Sequence, residues 1–107
     1  MSDEVITPPD SGNFEMPIPP ATFSFLVLSL RAQTEMQLGL MQFEEEKQEP
    51  NLPVARHTID MLAMLLEKTK GNLSLEEHRL LENSLTELRF RFVQVSDAVS
   101  KTTGQNA

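Results

Sequence analysis

Histidine and carboxylate side chains set three or four residues apart on a helix share a face, and two pairs in this chain have that spacing: His57 with Asp60, and His78 with Glu82. General acid–base work needs at least two titratable groups converging in a pocket, and a metal site needs three or four ligands. Asp60 adjoins Ile59, which belongs to an apolar seam, so that pair reads as a surface hydrogen bond or ion pair. His78 with Glu82 reads the same way. The run Arg89-Phe90-Arg91-Phe92 sets two cations among two aromatics, a combination that could stack on single-stranded nucleic acid. On a helix, however, Phe92 falls on the seam, the arginines point elsewhere and Glu87 is placed to pair with Arg91. Packing is the better reading. Glu44-Glu45-Glu46-Lys47-Gln48-Glu49-Pro50 reads as a solvated connector rather than a cation site, ended by a proline that disfavours helix at Glu49.

The chain has no cysteine, which removes disulfides, thiolate nucleophiles and thiolate metal sites. It has no glycine-rich phosphate loop, nucleophile elbow or zinc signature, and only 4 glycines from which to build a close-approach loop. No catalytic, cofactor-binding or metal-ligating residue is therefore assigned, and no enzymatic activity is expected.

Net charge is −7 over 107 residues, with −4 carried by residues 1–20, and no basic face dominates. Phosphate backbones and anionic lipid surfaces attract clustered Lys and Arg, so nucleic acid is not an expected partner. The chain opens Met1-Ser2-Asp3-Glu4 with no Lys or Arg before Arg31, unlike an export signal, and the absence of cysteine suits reducing cytoplasm. Residues 23–30, the longest strongly apolar stretch, are far short of the roughly 20 that span a bilayer, so no membrane segment is expected.

The elements that position these residues are all helical. Residues 1–21 hold Pro8, Pro9, Pro17, Pro19 and Pro20 with few apolar side chains, the composition of a disordered acidic tail; Phe14, Met16 and Ile18 alternate within it and could form a short docking segment. Helix one is expected from the cap Thr22 to about Leu38, before Gly39. Its first two turns are apolar nearly all round, so it must be covered on most sides. A buried strand over residues 23–30 is the alternative, disfavoured by few β-branched residues.

Helix two has Asn51 as its cap, Pro53 in the first turn where a missing donor is harmless, and Lys68 and Lys70 before Gly71. Ala55, Ile59, Leu62 and Leu66 step by 4, 3, 4 along it. Helix three begins at Ser74, with Glu77 completing a capping box. Leu81, Leu85, Leu88, Phe92, Val95 and Val99 continue the same stepping as a coiled-coil-like seam. The short link at residues 71–73 makes helices two and three an antiparallel hairpin. Residues 100–107 are small and polar and are expected to fray as a second disordered tail, leaving 22–99 as the helical domain.

The phrases Thr22-Phe23-Ser24-Phe25-Leu26-Val27-Leu28-Ser29-Leu30, Gln37-Leu38-Gly39, Glu49-Pro50-Asn51-Leu52, Ala55-Arg56-His57-Thr58-Ile59-Asp60-Met61-Leu62 and Glu67-Lys68-Thr69-Lys70-Gly71-Asn72-Leu73 resemble, in order and spacing, a bacterial family, domain of unknown function 1844, over about residues 22–93. The resemblance implies a small helical protein and carries over no catalytic or binding residues.

Three helices of about 75 ordered residues make a marginal core, since domains this small bury only about 60% of their unfolded surface. Helices one and two nonetheless look apolar on more than one side. Met36, Met41, Met61 and Met64 are adaptable packing groups, and Met61, Met64 and Leu65 give helix two a second apolar face. A homo-oligomer, most simply a twofold dimer, is therefore expected, with Phe23, Leu26, Val27, Leu30, Met61, Met64 and Leu65 as candidate self- or partner-interface residues. The expected function is a non-enzymatic interaction or adaptor module. The alternatives are a helical module for a small apolar ligand, or a regulator contacting nucleic acid or a nucleic-acid-binding complex.

Overall fold

Between Phe23 and Leu30 only Val27 is β-branched, and Thr22 is placed to accept from the first turn; these local preferences agree on helix. In the computed structural model, which describes residues 17–41 and 49–105 with side chains through Lys101, that segment opens α1 (Phe23–Gln37). Two further helices follow, α2 (Leu52–Lys68) and α3 (Leu75–Gln105), and no strand occurs among the described residues. Residues 17–22 are exposed and form neither helix nor strand. The rest of the expected N-terminal tail, with Phe14 and Met16, and most of the acidic connector lie outside the described residues.

Every helix start uses its predicted cap. Thr22 Oγ1 accepts from the Phe25 amide at 3.0 Å, and Asn51 Oδ1 accepts from the Val54 amide at 3.3 Å. At α3, Ser74 Oγ accepts from the Glu77 amide at 3.1 Å while the Ser74 amide donates to Glu77 Oε1 at 2.8 Å, so each residue satisfies a donor of the other. The end of α1 is closed by backbone alone. The Leu40 amide donates to Glu35 O at 2.9 Å and the Gly39 amide to Met36 O at 3.0 Å, across a glycine with φ 75°. Those bonds are the Schellman pattern, which needs a left-handed residue at that point.

The core is one cluster drawn from all three helices: Val27, Ile59, Leu62, Leu81, Leu85 and Leu88, ringed by partly buried Phe23, Leu30, Leu65, Leu66 and Phe92. Full burial of such aliphatic side chains contributes about 1.5–3 kcal/mol each. The seams predicted for the second and third helices meet here, with Ala55 also buried and Val95 half-buried. The short turn through Gly71, φ 86°, sets α2 and α3 antiparallel. Arg31 meets Ser84 and Glu87 on α3, while Gln37, further along α1, meets Asn51 and Thr58 at the start of α2. Thus α1 runs antiparallel to α2 and in the same sense as α3, and each helix packs on the other two.

The third helix departs from the expected end near Val99. It continues to Gln105, because no proline interrupts residues 100–105 and an established helix adds residues at little cost. The buried part of its seam stops earlier, with Val99 exposed. Equal rises counted from the two helix ends at the turn bring Leu52, the first residue of α2, to about the level of Arg91, so the last turns of α3 run past the end of its neighbour.

Candidate interaction surface

The side chains singled out for chemistry lie on the outside of the bundle. His57 and Asp60 are exposed on α2. His78 Nε2 sits 3.4 Å from Glu82 Oε2, both largely in water, the surface pair its spacing predicts. Arg91 Nη2 lies 3.5 Å from Glu87 Oε2, also as expected, while Phe92 packs on the core and Phe90, two residues earlier, is 61% exposed. Among the described residues no three His, Asp or Glu side chains come together in a way that could hold a metal ion.

A polar layer between the helices was not legible from the residue types. Thr34, Thr58 and Ser84 are buried. Thr34 Oγ1 donates to Leu30 O at 2.8 Å, and Thr58 Oγ1 donates to Gln37 Oε1 across the α1–α2 boundary at 2.8 Å. Arg31 reaches from α1 to α3, donating from Nη2 to Glu87 Oε1 at 2.9 Å and from Nη1 to Ser84 Oγ at 3.4 Å, and it also pairs with Glu35 on its own helix. The signal that could have found this layer is the stepping Val27, Arg31, Thr34, Leu38, again by 4, 3, 4. That stripe is the inward face of α1, hidden in the sequence because the apolar residues of the helix surround it.

With the inward stripe placed, the outward one follows. The exposed large apolar side chains of α1 are Phe25 at 44%, Leu26 at 42%, Leu28 at 48% and Met36 at 42%; Gln33 is exposed and Ser29 and Ala32 are half-buried among them. The two charged residues of α1, Arg31 and Glu35, are paired with each other, and Arg31 also with Glu87. The outward face of the helix therefore presents no charged side chain, in a chain of which 23% is charged.

The seven candidate interface residues are divided by the structure. Val27 is wholly buried in the core; Phe23, Leu30 and Leu65 pack partly against it; Met61 is half-buried; Leu26 and Met64 face outward. Phe25, Leu28 and Met36, which the sequence reading did not select, join Leu26 on the exposed side of α1.

Two open grooves flank the α2–α3 contact. One, about 620 Å³, lies at the turn against Leu66, Lys70, Leu73 and His78. The other, about 370 Å³, is lined by Ile59, Phe92 and Val93 together with Arg56, Asp60 and Arg89. No described helix is long and apolar enough to cross a membrane.

A family model, described as a domain of unknown function (DUF1844), matches residues 20–94, which takes in α1, α2 and the packed portion of α3. No curated protein and no solved structure matches the chain.

Proposed function

The chain belongs to the DUF1844 family, and from its geometry we propose that it is a non-enzymatic helical interaction module that self-associates through α1. The observation that carries this reading is the uncharged outward face of α1, where four large apolar side chains stand a little under half exposed. Apolar surface grouped in this way on an element that already supplies the core marks a contact surface rather than scattered exposure. The partner is a second copy: a face without charge meets its own copy with no charge to desolvate, whereas two chains of −7 repel across the rest of their surfaces.

Light scattering with in-line chromatography on the whole chain, from about 1 to 100 µM, tests the proposal. A dimer that weakens on dilution is expected, and Leu26→Asp with Leu28→Asp is expected to give a folded monomer, since neither side chain is part of the buried cluster. A wild-type monomer throughout that range sinks the self-association reading.

A second reading, a module for a small ligand with an apolar body, draws support from the α2–α3 groove whose lining includes Ile59, Phe92 and Val93. Native mass spectrometry of the freshly purified protein separates the two: a bound mass of a few hundred daltons supports the ligand (drug-sized pockets are about 300–1,000 Å³), and its absence with a dimer peak supports self-association.

A further inference from the structure

Resting on the self-association reading, we infer that two α1 helices pair antiparallel about a twofold axis passing between Ser29 and Ala32, so that Phe25 of each copy packs against Met36 of the other. With the core stripe Val27, Arg31, Thr34, Leu38 pointing inward, the residues directly opposite it are Phe25, Ser29, Ala32 and Met36, which again step by 4, 3, 4. That order of sizes reads the same from either end: a large side chain, two small ones, a large one. The two small residues let the helices approach closely at the centre, and the large ones fill the gaps as the helices diverge on either side. A surface with this order is complementary to itself rotated by half a turn, which is what a twofold contact requires.

Direction follows from the same four residues. A parallel pair sets Phe25 against Phe25 at one end and Met36 against Met36 at the other, two contacts of different thickness, and it aligns the helix dipoles. The antiparallel pair sets one aromatic ring against one thioether at both ends, a contact in which sulfur meets the ring favourably, and opposes the dipoles. Phe25 and Met36 with the flanking Leu26 and Leu28, each a little under half exposed, leave on the order of 300 Å² of apolar surface on each copy, less than the roughly 800 Å² per partner of a standard interface. The contact is accordingly a weak, concentration-dependent one.

The chain contains no cysteine, so single introduced thiols report distances directly. Ser29→Cys, Phe25→Cys and Met36→Cys are made separately, checked for helix content by circular dichroism, and oxidised at concentrations where light scattering shows the dimer. In the antiparallel arrangement the two copies of position 29 lie beside each other, while position 25 is about 16 Å along the axis from its own copy. Ser29→Cys is therefore expected to cross-link to itself, and Phe25→Cys and Met36→Cys to cross-link when mixed but not alone. Phe25→Cys linking to itself as well as it links to Met36→Cys shows a parallel pair and overturns the inference. A dimer that cross-links at none of the three positions uses another face, which overturns the inference while leaving self-association standing. A monomer overturns both.

Discussion

Arg31 on α1 and Glu87 on α3 are joined by a 2.9 Å bond from Nη2 to Oε1, and Glu87 uses its other oxygen for Arg91 at 3.5 Å. One carboxylate thus ties the first helix to the third and is itself held in place by its own helix. Arg31 is about three-quarters buried and Glu87 somewhat more than half, so the pair is screened less than a surface bridge. A double-mutant cycle with Arg31→Ala and Glu87→Ala is expected to give a coupling of about 0.5–1.5 kcal/mol in urea unfolding, falling as salt is raised. Arg31→Lys is expected to recover only a minor part, because one ammonium cannot replace a fork that addresses Ser84, Glu35 and Glu87 together. A coupling indistinguishable from zero at low salt shows that the bond does not hold α1 to α3.

The Thr58 hydroxyl has one proton, and the 2.8 Å bond to Gln37 Oε1 is shorter than the 3.2 Å approach to Val54 O. Gln37 also takes the Asn51 amide on its backbone carbonyl at 2.7 Å, so this residue fastens the end of α1 to the start of α2 from both main chain and side chain. Thr58→Val keeps the shape and deletes the donor. It is expected to cost about 1 kcal/mol, and adding Gln37→Leu should restore part of that loss by removing the acceptor left without its partner. Equal and additive losses from the two substitutions count against a shared bond.

How much of this was readable from the chain depends on whether the signal was local. Thr22, Asn51 and the Ser74/Glu77 pair could be placed because a cap is decided within four residues, and the structure makes each of those bonds. The seams of α2 and α3 were readable because polar residues frame them. In α1 the framing fails: apolar residues lie all round, so periodicity could not show that Val27 goes inward while Phe25, Leu26 and Leu28 stay outside. Arg31 is the clearest example, an arginine whose place in the core stripe is set by Ser84 and Glu87, more than fifty positions away. The length of α3 was missed for the opposite reason, since composition argued for fraying where no residue forbids helix.

Gly71 holds φ at 86°, and a methyl group built there meets nothing within 4 Å. Space is therefore available and only the left-handed backbone resists substitution. Gly71→Ala is expected to cost about 1–2 kcal/mol, and Gly71→Asn less, because asparagine tolerates this conformation. Thermal unfolding of the two variants decides it. Equal losses for alanine and asparagine would mean that bulk, not backbone, limits the position.

Phe90 and Phe92 are two residues apart on α3 and differ in what surrounds them. Phe92 packs against the core cluster and Phe90 is 61% exposed, as two positions 200° apart on a helix must be when one lies on the seam. Phe92→Ser removes a ring from a packed site and is expected to cost about 3 kcal/mol or more, enough to unfold a large share of a domain this small. Phe90→Ser is expected to stay within about 0.5 kcal/mol of the wild type. It should also leave the dimer intact, because the self-contact proposed for α1 lies on another helix. Urea unfolding gives the first comparison and light scattering the second. Loss of the dimer in Phe90→Ser with stability unchanged would move the self-contact from α1 to the outer face of α3.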